Sequence, residues 1–322
     1  MKIRYFALIF VLFLLLAGCG GSDEAAAPAQ EAAQAEEAAP AAEEAAQPTV
    51  EDAVMAYFAD MPDHIYKVNQ NEFLQMVAAG SDMAVIDIRR ADDYAEGHIK
   101  GALSMPWGTA AMYEKLAYIP ADKPVFIHCY SGQTAGQAVA VMNIAGIPAR
   151  SVNLGWNFGL SRVEGMQEYV ETTENAWPTE MQYDIPDYLM DAYQAYYEGT
   201  AEAGGTPFAS NIVSEDNAKA IFDAADPDVL FVSVRRPEHY AEAHIDGAIN
   251  VPFGPGMQEN FASLPADKKL IVYCYTGQTA GQTVAGLRML GYDAVSLKGG
   301  MGMPSNEPLD WMSHGYPTVA SN

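Results

Sequence analysis

Two of the chain's three cysteines head almost the same nonapeptide. CYSGQTAGQ occupies residues 129–137 and CYTGQTAGQ occupies residues 274–282. Each follows an apolar run, PVFIHC (124–129) or KLIVYC (269–274), and each leads into a stretch of helix-compatible residues. A thiol acts as a nucleophile through its thiolate, whose free pKa is ~8.5 and falls beside aligned N–H dipoles or a helix N-terminus. A strand ending in cysteine, a short glycine-bearing loop and a helix start supply such dipoles. The candidate nucleophiles are Cys129 and Cys274. The candidate cradles are Tyr130, Ser131, Gly132, Gln133, Thr134 and Ala135 in the first copy, and Tyr275, Thr276, Gly277, Gln278, Thr279 and Ala280 in the second. Such a loop suits a thiolate, a persulfide or an oxyanion, and Gly132 and Gly277 permit the tight turn.

The elements that must position these loops are themselves duplicated. MAVIDIRRADDYAEGHIKGALSMPWG (83–108) aligns with VLFVSVRRPEHYAEAHIDGAINVPFG (229–254), and PADK recurs at 120–123 and 265–268. Ten of twelve positions agree between CYSGQTAGQAVA and CYTGQTAGQTVA. A repeat of this length is a duplicated domain, because solenoid units run to about 20–50 residues. Asn69, with Glu72 three residues on, predicts a helix start with a capping box, and Ser214 predicts a second N-cap. The runs at 84–88 and 229–234 predict buried strands. TAGQAVAVMNIAG and TAGQTVAGLRMLG predict helices stopped by Gly146 and Gly291. PARSVNL and YDAVSL predict further strands. VMAYFADM (54–61) and DAYQAYYEG (191–199) predict amphipathic helices packed on a sheet or between domains. Strands alternating with helices predict an α/β fold with a mainly parallel sheet flanked by helices in each half, and ligands bind beyond the carboxyl ends of such strands.

With these motifs in order, the chain resembles the rhodanese (sulfurtransferase) family in a tandem two-domain form. The first half carries the resemblance in Asp87, Arg89, Tyr94, Gly97, His98, Ile99, Gly101, Ala102 and Cys129. The second half carries it in Arg235, Tyr240, His244, Ile245, Gly247, Ala248 and Cys274, and Gly299, Gly300 and Pro317 fit the end of such a domain. The resemblance implies a cysteine that takes a sulfane sulfur as a persulfide and hands it to a thiol or other nucleophile. It also implies that one domain of a tandem member, usually the second, is the working one, although both cysteines are kept here. It calls for no cofactor. Two cysteines without a CxxC or His-rich spacing predict no metal site.

The departures shape the expectation. Ser233 stands where the first half has Asp87, which removes an acid–arginine partnership there. Gly155-Trp156 stands where the second half has Gly299-Gly300, a difference expected to alter the pocket wall. Neither loop contains Arg or Lys, so the sequence disfavours the thiosulfate dianion and favours polysulfide or a protein persulfide as donor. Basic help would have to come from Arg89, Arg90, Arg235 or Arg236. Asp87, Arg89 and Arg235 are read as substrate contacts or as fold-holding groups, with the second reading favoured. His98 and His244 are read as turn-fixing residues. Ala135 and Ala280 occupy the position, six after each cysteine, where a cysteine phosphatase needs arginine, and this excludes phosphoryl transfer. The alternatives for the thiols are a disulfide between Cys129 and Cys274 or two inert buried side chains. The alternative function is a non-catalytic sulfur carrier or docking module.

The whole chain bounds these readings. Its 322 residues suit about two domains at ~150 residues each. Its 42 acids against 17 bases give a net charge of −25, which disfavours nucleic acid and anionic surfaces as partners. Lys2 and Arg4 precede an apolar run over 5–17 that is short for a span, and the run ends in Leu16-Ala17-Gly18-Cys19. This resembles a bacterial lipoprotein signal with Cys19 as the lipidated residue. Residues 22–50, nearly all Ala, Glu, Gln and Pro, have no apolar pattern to bury and predict a solvated acidic tether. The expected organisation is a signal over 1–18 and a tether over 19–50. Domain 1 then spans 51–178, and a helical connector with domain 2 spans 179–322, its core at about 210–320. The expected location is extracytoplasmic and lipid-anchored, with a small sulfur donor and a thiol acceptor as partners. No protein partner is specified by the sequence.

Overall fold

A computed structural model of the chain describes residues 48–321. Cys19, the apolar segment and the body of the tether therefore lie outside the described residues. In the first half the elements run α1 (Val50–Ala59), β1 (Lys67–Val68), α2 (Gln70–Ala78), β2 (Ala84–Asp87), α3 (Ala91–Glu96), β3 (His98–Ile99) and β4 (Leu103–Ser104). They continue with α4 (Ala111–Glu114), β5 (Val125–His128), α5 (Gln133–Ile144), β6 (Ala149–Val152) and β7 (Val170–Glu171). The second half holds α6 (Asp187–Glu202), β8 (Ile212–Val213), α7 (Glu215–Asp223), β9 (Val229–Ser233), α8 (Pro237–Glu242), β10 (Ile249–Asn250), β11 (Lys269–Tyr273), α9 (Gln278–Met289) and β12 (Ala294–Leu297).

Two five-stranded parallel sheets result, in the orders β1-β6-β5-β2-β4 and β8-β12-β11-β9-β10. The orders are equivalent strand for strand, as duplication requires. In both, the cysteine-bearing strand is central, and its residues are buried on both faces, which explains the continuous apolar runs. A short antiparallel pair, β3 with β7, closes the edge of domain 1.

Local signals behave largely as the residues dictate. Ser214 caps α7 by accepting the Asn217 N–H at 3.2 Å. Asn69 caps α2 one residue earlier than a capping box would, accepting the Asn71 N–H at 2.8 Å. Its shorter side chain folds into an Asx-type turn rather than reaching the third N–H. Helices α5 and α9 stop just before Gly146 and Gly291, both left-handed.

The cores are less separate than two repeats suggest. The outer face of each sheet has its own apolar cluster, one around Phe73, Phe126 and Leu160 and the other around Phe231, Val295 and Trp311. The inner faces share one cluster that joins Phe58, Ile86, Ile127 and Val139 to Val232, Val272 and Val284. At its centre α5 packs on α9, and both are buried almost all round. Small residues permit the approach. A Cβ at Gly136 would lie 2.2 Å from the Gln278 carbonyl oxygen, and one at Gly281 would lie 2.4 Å from that of Gln133. These collisions are with backbone, so no rotamer change relieves them. Gly136→Ala and Gly281→Ala should each cost about 1–3 kcal/mol through overpacking. Thermal unfolding of the two variants checks this, and a melting temperature equal to wild type in both would refute the close packing.

Candidate functional site

Each cysteine lies just past the carboxyl end of its strand, 2 % exposed, and both are free thiols. The inter-repeat disulfide is thereby set aside. Cys129 Sγ accepts the N–H groups of Gly132 at 3.1 Å and Ala135 at 3.4 Å. Cys274 Sγ accepts that of Gly277 at 3.1 Å. The turn that aims these donors needs φ of +90° at Gly132 and +89° at Gly277, which side-chain-bearing residues avoid. Each glycine is followed at once by a twelve-residue helix whose N-terminus faces the sulfur. Hydrogen bonds and helix dipole both favour negative charge on sulfur. Position six, alanine in both copies, thus works through its backbone N–H in domain 1.

The loops are fixed from two sides. The Tyr130 hydroxyl accepts the Arg90 N–H at 3.0 Å and donates to the Asp93 carboxylate. Burial and that carboxylate raise the phenol's pKa and keep it protonated. Tyr275 does the same job with the Arg236 N–H at 3.3 Å and His239 Nδ1 at 2.5 Å. On the other side the carbonyls of Cys129 and Cys274 accept the N–H groups of Trp156 and Met301, each at 2.8 Å. This corrects the alignment by one residue. Gly155 matches Gly300, because both pack against the cysteine carbonyl, and Leu154 matches Gly299. The first half has one glycine here and the second half has two in succession, so the single glycine could match either and sequence alone left the register free.

Gln133 and Gln278 do more than the sequence indicated: Gln278 lines the cavity at its own Cys274, and the side-chain amides of both reach the opposite domain. Gln133 Nε2 crosses into domain 2, donating to Ser296 Oγ at 2.7 Å and to the Leu297 carbonyl at 3.0 Å. Gln278 Nε2 crosses the other way to Ser151 Oγ at 2.8 Å and the Val152 carbonyl at 3.3 Å. The next glutamines repeat the exchange. Gln137 meets Tyr196, Ser210 and Asn211, and Gln282 meets Tyr57 and Ile65. The near-identity of the two GQTAGQ stretches therefore serves the domain interface as well as the thiols. The rest of each loop stays with its cysteine: Thr276 and Thr279 line the Cys274 cavity, while Ser131 and Thr134 are half-buried beside Cys129 and Ala280 is fully buried.

A cavity of about 580 Å³ opens onto Cys274. Domain 2 contributes Cys274, Tyr275, Thr276 and Arg236, and domain 1 contributes Lys67 and Asn153 from the ends of β1 and β6. Burial pulls the Lys67 ammonium below the usual lysine range, while the adjacent Cys274 sulfur pulls it up. Sequence reasoning missed Lys67 because it searched each loop for its own base. The position equivalent to Lys67 in the second sheet is Ile212: Lys67 pairs with Ser151 on β6 as Ile212 pairs with Ser296 on β12. The aligned repeat stretches begin at residues 83 and 229, so neither that difference nor the service to the opposite domain shows in them.

Asp87, Arg89 and Arg235 are structural in their contacts. Buried Arg89 makes a two-nitrogen clamp on Asp87 at 3.0 and 2.6 Å, donates to the Gly97 carbonyl at 2.6 Å and stacks on Trp156. Arg235 keeps the matching bond to the Ala243 carbonyl at 2.6 Å, but Ser233 gives it only an N–H acceptor at 3.3 Å. His98 and His244 fix turns, bonding the Tyr94 and Tyr240 carbonyls at 2.7 and 2.8 Å. Arg90 is exposed and paired with Asp93. His128, fully buried 3.6 Å from Asp87, has no hydrogen-bond partner on either nitrogen. Burial lowers its pKa, and Asp87 offsets part of this.

Two central parallel sheets, each presenting a strand-end cysteine to loop N–H donors and a helix N-terminus, define a tandem thiol-based α/β protein. The Rhodanese-like domain family matches residues 69–159 and 214–302, and the chain belongs to that family. It is 34 % identical over 120 residues to a thiosulfate:glutathione sulfurtransferase of Saccharomyces cerevisiae, a match covering 33 % of this chain and 82 % of the relative. It is 30 % identical over 112 residues to a sulfurtransferase of Allochromatium vinosum, covering 34 % and 95 %. It is 37 % identical over 73 residues to the thiosulfate sulfurtransferase PspE of Escherichia coli, covering 22 % and 69 %.

Two predictions follow from the buried charges. Asp87→Ala leaves Arg89 desolvated and unpaired, and should destabilise the fold by about 3–5 kcal/mol; denaturant unfolding measures it, and a loss under about 1 kcal/mol would show the pair to be dispensable. The unfolded imidazole protonates near pH ~6.5, whereas folded His128 does so only at lower pH. Its contribution to stability is complete above ~6.5 and is lost as pH falls from there through the folded value. His128→Tyr, which installs the residue found at the equivalent Tyr273, should flatten that acid-side loss. Equal slopes in wild type and variant would count against it.

Proposed function

We propose that this rhodanese-family chain transfers sulfane sulfur through a persulfide on Cys274, with Cys129 as a second, differently equipped thiol. The chain is a sulfurtransferase, and the named activities of its relatives support thiosulfate chemistry in general. The observation that carries the reading is Cys274 Sγ, held by the Gly277 N–H at 3.1 Å on the wall of a 580 Å³ cavity. In the loading step the Cys274 thiolate attacks the sulfane sulfur of a donor such as thiosulfate, a polysulfide or a persulfide. The donor's S–S bond breaks and its electron pair leaves with the departing group, sulfite when the donor is thiosulfate. The N–H donors and helix dipole then hold the charge of the persulfide anion. A thiolate acceptor attacks the outer sulfur, takes it and returns Cys274 to its starting state, so no oxidant or reductant is consumed.

Intact-mass analysis tests this on the full chain. Wild type treated with donor should gain the mass of one sulfur atom at Cys274, and Cys274→Ser should lose both that adduct and most turnover. Full turnover in Cys274→Ser would assign the work to Cys129. No adduct and no turnover in wild type would leave a carrier or docking role.

The location is part of the same proposal. The stretch Leu16-Ala17-Gly18-Cys19 and the acidic segment that follows support a lipid-anchored extracytoplasmic enzyme on a bacterial membrane, spaced from it by a tether. Metabolic labelling with a fatty acid should mark the wild-type chain and not Cys19→Ala. Label retained in the variant rules out Cys19 as the anchor.

A further inference from the structure

The cavity at Cys274 contains a cation that its own domain does not supply. Lys67 stands at the start of β1 in domain 1 and lines the cavity together with Cys274, Arg236 and Asp63. It is half-buried, and among the described residues no carboxylate lies within 4 Å of its nitrogen, whereas Lys123, Lys219, Lys269 and Lys298, also half-buried, each have one. The charge of Lys67 is therefore not consumed by the fold. Desolvation makes holding it costly, which is an unusual expense for a position that Ile212 fills with a hydrocarbon in the other sheet.

We propose that Lys67 is the donor-binding cation of the Cys274 site, supplied from the opposite domain, and that it selects dianionic sulfur donors such as thiosulfate. This rests on the sulfurtransferase reading above. The loading step brings a thiolate and a dianion together and ends with a persulfide anion and sulfite, so three negative charges are present throughout. The cradle's N–H groups face the cysteine sulfur, and a second centre of positive charge is needed where the sulfonate end of the donor lies. Arg236 is exposed to solvent and screened, whereas Lys67 sits in the lower-dielectric wall, where its attraction is stronger. The absence of Arg and Lys from the loop then no longer disfavours thiosulfate. Cys129 lacks this arrangement, because Ile212 occupies the matching position, and the two thiols should differ in donor preference.

The test uses full-length protein and thiosulfate, with sulfite release followed and the adduct located at Cys274 by peptide mass. Lys67→Met should raise KM for thiosulfate roughly ten- to a hundredfold, the range expected for one charged hydrogen bond, with kcat changed far less. Inhibition by the product sulfite should weaken in parallel, while KM for an uncharged thiol acceptor, 2-mercaptoethanol, should hold. Lys67→Arg should restore most of the affinity. The pH profile provides a reading independent of the methionine variant's folding. Burial places loss of the Lys67 proton below the ordinary lysine range, so KM in wild type should rise on the alkaline side and stay flat in Lys67→Arg. Asp63, Arg236, Tyr275 and Cys274 also face the site, but they are common to both proteins and cancel in the comparison. An adduct that forms at Cys274 with the same KM in wild type and Lys67→Met would overturn the role of Lys67 and leave the sulfurtransferase reading intact. No Cys274 adduct in wild type would remove both.

Discussion

The packing of α5 on α9 is the constraint from which the rest of the structure follows. These helices begin three residues after their glycine-turned cysteines' neighbours and supply the positive ends that face the two thiols. They are also the helices that join the domains, meeting at Gly136 and Gly281 with backbone against backbone. Because one pair of helices does both jobs, the sites cannot be separated from the interface. The glutamine after each loop glycine makes the link covalently short: its backbone helps to start the cradle helix and its amide bonds the other domain's sheet. A buried amide that lost those partners would cost its full desolvation, so the exchange fixes the relative position of the halves.

That fixed arrangement allows a duplicated fold to hold two unlike sites. The sheet orders match strand for strand, and the thiol-to-glycine distances are the same 3.1 Å. What differs is what the partner domain presents. The first residue of β1 presents lysine to the Cys274 cavity, and the first residue of β8 is isoleucine. The supporting layers differ as well: domain 1 locks Arg89 onto Asp87 and Trp156, whereas domain 2 holds Arg235 with a carbonyl and leaves its Nε without a partner. Divergence has accumulated behind and across from the thiols, while the loops around them stayed nearly identical.

Much of this was legible in the chain. The apolar runs before Cys129 and Cys274 are central strands because they are buried on both faces, and a continuous run is the sequence form of that environment. The glycines at 132 and 277 mark the turns because few other residues take the required φ. Asn69 was read as a cap correctly, but its partner was misjudged by one residue because local side-chain geometry decides between competing N–H groups. The register of Gly155 with Gly300 was also out by one, since the alignment of short glycine pairs is settled only by which backbone packs on the cysteine carbonyl.

The sequence by itself determined the duplication, the parallel α/β architecture and the two strand-end thiols with their N–H cradles. All of these rest on contacts between residues close in the chain or on burial periodicity, which a single sequence records. Only the tertiary structure decided where Gln133, Gln278 and Lys67 act. Each leaves its own repeat and works in the other, 127 to 163 residues away for the two glutamines. No local pattern encodes a destination that depends on how two finished domains pack, and for that reason the charge beside Cys274 could not be found by looking next to Cys274.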